Sequence, residues 1–321
     1  MQRLADSLLW LAFTLVPALA LWSYFYADPR VEHPAEAVHE AAGILQSNAL
    51  AASSVDWPAA QARAKAIAER TGRRAGLDEA IASLIGELND AHSHYIPPAS
   101  AEALNRQPEA RSSASSIADL SIDQNHIPTL HVHAFGSLNP QVEAHAAMQL
   151  SDAVQRSRAR FDCGMVVDLS DNGGGNMWPM LNGLYSILPA KPLGYFVSKS
   201  GERTPISSSW PYSHTMPEKH HVRALAIVVN RQTASSGEFV AASLLAHPNS
   251  KLFGEPTAGL TTGNQLYPLQ TGGLLAVATS KLATADGRPV NGALVPTMLA
   301  EPANAVATAS AWVRQECQAT E

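Results

Sequence analysis

The chain is poor in the residues that would mark several protein classes. It has two cysteines, Cys163 and Cys317, far apart and without metal-like spacing, so neither a disulfide-dense scaffold nor a zinc module is encoded. An exported chain could pair them, but Cys163 precedes an apolar strand, and a buried free thiol reads equally well. Charged residues make up only 16% and the net charge is −6, with no basic stripe interleaved with aromatics, which excludes a nucleic-acid binder. No internal repeat is present. One long apolar run exists: from Leu8 to Tyr26 there is no charge, Arg3 precedes the run, and Trp22, Tyr24, Phe25 and Tyr26 close it. That segment reads as a membrane anchor or as a signal peptide cleaved after Ala18-Leu-Ala20. In both readings the remainder lies outside the cytoplasm, either anchored to the membrane by residues 1–27 or periplasmic or secreted after signal cleavage.

Past a linker at residues 28–34, the chain falls into three parts. Residues 35–98 form a helical N-terminal module: an Ala-rich helix over 35–52, a second from Pro58 to Thr71 with Gly72 behind it, and a third over Leu77 to Leu88. In the third, Ile81, Leu84, Ile85 and Leu88 make one apolar face. Residues 99–127 read as a surface linker with at most a short hairpin. From 128 to 303 strands and helices alternate: strand 129–135, helix 140–160, strand 165–169, helix 177–188, strand 224–229, helix 239–247 and strand 251–253. That pattern predicts an α/β core with largely parallel strands. Residues 200–221 read as a long loop beside the site and 270–300 as short strands and turns.

The chemistry concentrates at strand ends. Ala224 to Val229 is a buried strand, Thr233-Ala-Ser-Ser-Gly-Glu238 a polar turn, and a helix follows, so a serine stands at a strand-to-helix elbow beside unpartnered first-turn amides. The same letters, Ser235-x-x-Glu238, spell a capping box. Asp168-Leu-Ser-Asp-Asn-Gly-Gly-Gly175 ends another strand with glycines that let backbone amides approach a ligand. Asp90-Ala-His-Ser93 closes the helical module, and Gly254-Glu-Pro-Thr-Ala-Gly259 follows the elbow.

In this order, with Asn291-Gly-Ala-Leu-Val-Pro-Thr297 as a degenerate last motif, the pieces resemble the S41 family of serine peptidases, whose branches include the carboxyl-terminal processing and tricorn-like proteases. The resemblance runs from about Trp57 to Pro302 and implies a crotonase/ClpP-like α/β core behind the helical module. It also implies a peptide or protein substrate and no metal or cofactor. Ser235 is then the nucleophile, with the amides of Gly175 and Ser236, beside Gly174, as oxyanion hole.

Two departures shape the mechanism. The lysine that serves processing proteases as base is replaced by Leu260, which cannot accept a proton. The tricorn-like branch uses the histidine of the D-x-H motif instead, here His92, with His94 as fallback. Where that branch has an orienting glutamate this chain has Asn291, so the expected catalytic set is Ser235, His92, Asn291 and Glu238. Ser170 replaces the arginine of D-L-R, and its ion pair is lost. The stretch between His94 and Thr129 is too short for a PDZ domain. Two rivals remain: an inactive S41-like module binding a hydrophobic ligand or peptide, which Leu260 favours, and a crotonase-like lyase, which gives no reason for the elbow serine.

Overall fold

The computed structural model describes residues 28–319 apart from 107–115, 160, 162, 213–214 and 221. The apolar segment Leu8 to Tyr26 lies outside the described residues, and no helix among those described is long and apolar enough to cross a membrane. The chain divides into two compact units, one of residues up to Pro98 plus Leu266–Val277, the other of Ala99–Gln265 plus Ala278–Glu321.

The first unit packs three helices, α1 (Pro34–Asn48), α2 (Trp57–Thr71) and α3 (Arg74–Gly86). Asp56 caps α2 by accepting from the Ala59 amide at 3.2 Å, and Gly72 ends it at φ 61°, the left-handed value a glycine takes without strain. Ala60, Ala64 and Ala68 recur every four residues and are buried, so the backbone of α2 can lie close to its neighbours. The core adds Leu45, Trp57, Leu77, Ile81 and Leu84, and it also takes Leu269, Leu275 and Val277 from far along the chain. Leu275 and Val277 fall within the stretch expected as short strands and turns, and both lie on the long strand Leu274–Thr284. Strand β1 (His94–Ile96) pairs antiparallel with Leu274–Ala276.

The second unit opens with α4 (Pro98–Asn105) and β2 (Ala118–Ile122), so the expected linker 99–127 carries a helix and a strand. Ala, Ser and Gln gave these little periodicity, and their order comes from tertiary pairing. Next come β3 (Pro128–Val132), α5 (Pro140–Arg158), β4 (Gly164–Asp168) and α6 (Met177–Gly183). After these follow β5 (Gly194–Ser198), β6 (Arg203–Ile206), β7 (Ala224–Val229), α7 (Ser236–Leu244), β8 (Ser250–Gly254) and β9 (Thr262–Pro268). The last are β10 (Leu274–Thr284), β11 (Met298–Leu299) and α8 (Pro302–Gln318). Six strands form a sheet in the order β11-β8-β7-β4-β3-β2, parallel except for β2. This is the expected α/β class.

Residues of alternate parity face opposite layers, as a strand's period of two requires. Met165, Val167 and Leu169 join Leu150, Met180 and Phe239 in one core, while Val166, Ala226, Val228 and Phe253 join Trp312 and Val313 of α8 in the other. With both faces covered, all six residues of β7 are buried. The sequence reading had no α8, although Ala305, Ala309, Trp312 and Val313 make its apolar face. Cys163 and Cys317 pair, which ties the C-terminal turn of α8 to the residue before β4, so Cys163 is not a free thiol. Between the two units β10 is divided: the residues after Val277 pair antiparallel with β5, which hairpins onto β6.

Candidate active site

The loops after β4, β7 and β8 leave the carboxyl ends of parallel strands, where open α/β sheets bind ligands. Ser235 stands directly before α7 with φ 51° and ψ −122°. A capping residue normally takes extended φ and ψ, and a serine held at positive φ, outside the well-populated regions, stores strain of order 1–3 kcal/mol. The elbow is therefore more than a helix cap. The capping box is formed all the same, and in it the buried Glu238 carboxylate accepts from the Ser235 amide at 2.9 Å. The other oxygen accepts from Thr257 Oγ1 at 2.5 Å and the Gly259 amide at 2.8 Å. Thr257 Oγ1 in turn accepts from the Leu294 amide at 2.8 Å. Glu238 thus ties the elbow to Gly254–Gly259 and, through Thr257, to the last motif. It is a positioning group with both oxygens engaged.

Opposite the elbow runs the glycine loop. Gly174 and Gly175 have φ 102° and 98°, and a side chain on Gly174 would come within 2.9 Å of both Ser235 Cβ and the Ser236 amide nitrogen. On Gly175 it would strike the Phe135 carbonyl at 2.1 Å. Ser236 Oγ donates to the Gly175 carbonyl at 2.5 Å and fastens loop to helix. The Gly174 amide donates to Asn172 Oδ1 at 3.0 Å. The amides of Gly175 and Ser236 donate to no group among the described residues, so of the three expected hole residues these two keep donors to offer and Gly174 serves as spacer.

His92 belongs to the first unit, in a turn built by Asp90. Asp90 Oδ1 accepts from the His92 amide at 3.0 Å and the Ser93 amide at 2.5 Å, and Oδ2 accepts from Ser93 Oγ at 2.8 Å. This is what the D-x-H-[ST] motif does physically: one aspartate fixes three donors and hence the histidine backbone. His94 is exposed, with Nδ1 against the His92 carbonyl at 3.0 Å. Asn291 is exposed and makes no hydrogen bond among the described residues. Leu260 is half-buried.

Sequence reasoning missed the group that takes over Asp168. Where the family motif has arginine, Ser170 gives only its amide to Asp168 Oδ1 at 2.9 Å, and the side chain that meets the carboxylate is His131 of β3, whose Nδ1 lies 2.9 Å from Oδ2. Register pairs the two residues across β3 and β4, which a sequence read strand by strand does not reveal. The bond to Asp168 pushes the His131 pKa above its ordinary value against the opposing effect of burial, with Asp119 and Asp171 adding to it. A concavity of about 700 Å³ beside α5, lined among others by Met148, Arg158, Trp210 and Met216, contains none of the elbow or loop residues. Among the described residues no cluster of three or more His, Cys, Asp or Glu side chains is arranged to hold a metal.

Fold and site together define an α/β protein with a strained serine at a strand-to-helix elbow, faced by a glycine loop that leaves amides unbonded. The chain belongs to peptidase family S41, whose model matches residues 126–299. It is 31% identical over 125 residues to the nisin-resistance protein of Lactococcus lactis subsp. lactis, covering 36% of this chain and 39% of that one. It is 26% identical over 213 residues to a carboxyl-terminal-processing protease of Synechocystis sp., covering 65% of this chain and 47% of the other. The matches thus span less than half the length of these curated relatives. Among solved structures, a lipoprotein from Streptococcus agalactiae superposes with a TM-score of 0.75 at 22% identity, over 88% of this chain and 96% of its own. The photosystem II D1 C-terminal processing protease gives 0.55 at 15%, over 85% and 94%. At these identities both likenesses speak to fold alone.

Proposed function

We propose that this chain is a serine peptidase. Ser235 attacks a peptide carbonyl, the Gly175 and Ser236 amides hold the oxyanion, and His92 takes the serine proton and returns it to the leaving amine. The observation that carries the reading is the φ of 51° at Ser235, a strain that a helix cap does not need and a nucleophile on a sharp turn does. Family membership and the processing-protease relative support a peptide or protein substrate. The same strain speaks against an inactive binding module, which would gain nothing from keeping it. Asn291, exposed and unbonded, is the weakest member of the expected set. We place the protein outside the cytoplasm: the apolar segment Leu8 to Tyr26 addresses it there, and the Cys163–Cys317 pair suits an oxidising compartment.

The test is peptidase activity on a peptide library. Ser235→Ala should abolish activity with Tm within a few degrees of wild type, and His92→Ala should lower kcat/KM by roughly 10²–10⁴-fold, the range for a lost general base. Wild-type rates in His92→Ala would remove the histidine from the mechanism. Retained activity in Ser235→Ala would remove the serine.

A further inference from the structure

We infer that Asn172 is a positioning residue that sets the two halves of the oxyanion hole against each other. Its side chain is fully buried. Nδ2 donates to the Val132 carbonyl at 3.0 Å and toward Met180 Sδ at 3.3 Å, which anchors the amide to β3 and α6. Oδ1 accepts from the Gly174 amide at 3.0 Å and so fixes the peptide that leads into Gly175. The main-chain carbonyl of the same residue accepts from the Ala234 amide at 3.0 Å, one residue before Ser235. A side chain on Gly237 would meet that carbonyl at 2.4 Å, so α7 begins in van der Waals contact with it. One residue thereby spaces the Gly175 donor from the Ser236 donor. Donors aimed at a developing charge act only when preorganised, and a displacement of about 1 Å can slow the chemical step about 10²-fold.

The inference rests on the proposed nucleophile, and the test separates the two. Asn172→Asp keeps the shape and the acceptor for Gly174 but turns a carboxylate oxygen toward the Val132 carbonyl. The repulsion is relieved only when the aspartic acid is protonated and donates there. Burial pushes such a group upward by up to about 3–5 units, so the defect should be present at high pH and fade as pH falls. The readout is the reaction of a fluorophosphonate probe, resolved into the inactivation rate constant kinact and the binding constant KI, well below the melting temperature. Expected is a kinact about 10²-fold below wild type at pH 9 with KI unchanged, and a ratio to wild type that recovers about tenfold by pH 6. Asn182→Asp is the control, since Asn182 is buried in α6 but among the described residues its side chain bonds Tyr212 and Ser209 and no part of the glycine loop or elbow. It should lower stability without touching kinact. An unchanged kinact in Asn172→Asp, an equal loss in the control, or a loss carried wholly by KI overturns the inference while leaving Ser235 in place. Failure of wild type to react at Ser235 removes the nucleophile and this inference with it. If Asn172→Asp does not fold, hydrogen exchange of the wild-type Gly174 amide decides: strong protection is expected, and exchange at the open-chain rate overturns the role.

Discussion

At Ser235 the backbone and the chemistry can be tested apart. Ser235→Gly should relieve strain of about 1–3 kcal/mol less the roughly 0.5–1 kcal/mol of extra chain entropy that glycine loses on folding. A net gain of about 1 kcal/mol, read by urea unfolding, is the expected result. A residue acting only as a helix cap gives the opposite sign, because replacing serine there by glycine costs a few tenths and by alanine about 1 kcal/mol. His131 carries a second residue-scale prediction. Its pKa is raised in the folded protein by the bond to Asp168, with Asp119 and Asp171 also facing it and His133 stacked edge-on at 4.5 Å. A raised histidine adds stability that is complete below its unfolded value, 6.5, and is lost as pH rises through the higher folded value. Tm should therefore fall between about pH 6 and pH 8 in wild type more than in His131→Gln. Parallel curves for the two would show that the pair adds nothing.

Elements explain what the sequence made legible and what it did not. The apolar run Ala224 to Val229 is a strand with those same limits, because a parallel strand covered on both faces leaves no polar alternation to blur it. The third helix was expected from Leu77 to Leu88 and occupies Arg74–Gly86, a shift typical of ends where no cap fixes the start. The helix after the elbow was expected from Phe239 and starts at Ser236, since the small polar residues of its first turn carry no periodicity. The run expected as one helix over 177–188 breaks at Gly183 into a short 3₁₀ turn, Tyr185–Ile187. The site was legible where a motif and its physical cause coincide, as in Asp90 holding His92 and Glu238 holding Ser235. It was illegible where the partner comes through register or a buried bond: His131 on Asp168, and Asn172 on Gly174. Glu238→Gln separates the role of the carboxylate from that of its shape. The amide keeps one acceptor but must face either the Ser235 amide or the Thr257 and Gly259 donors with an NH₂, so a loss of about 1–3 kcal/mol in stability is expected, the penalty for an unsatisfied buried donor. Unfolding at wild-type denaturant concentration would show that the tie is slack.

At the scale of the molecule, Cys163 and Cys317 close a loop with a sequence separation of 154, which joins α8 to the start of the central strand β4. Closing a loop that long restrains the unfolded chain strongly, and its removal by Cys163→Ala with Cys317→Ala should lower stability by about 2–4 kcal/mol. Equal stability with and without the bond would mean that α8 holds its place through its non-covalent contacts, led by its apolar face of Ala305, Ala309, Trp312 and Val313.

The central claim, that Ser235 is the nucleophile, is tested most directly by mass spectrometry of the wild-type protein after reaction with a fluorophosphonate. The account predicts one adduct per chain, mapped to the peptide that carries Ser235. An unmodified chain, or an adduct on any other serine, would contradict it.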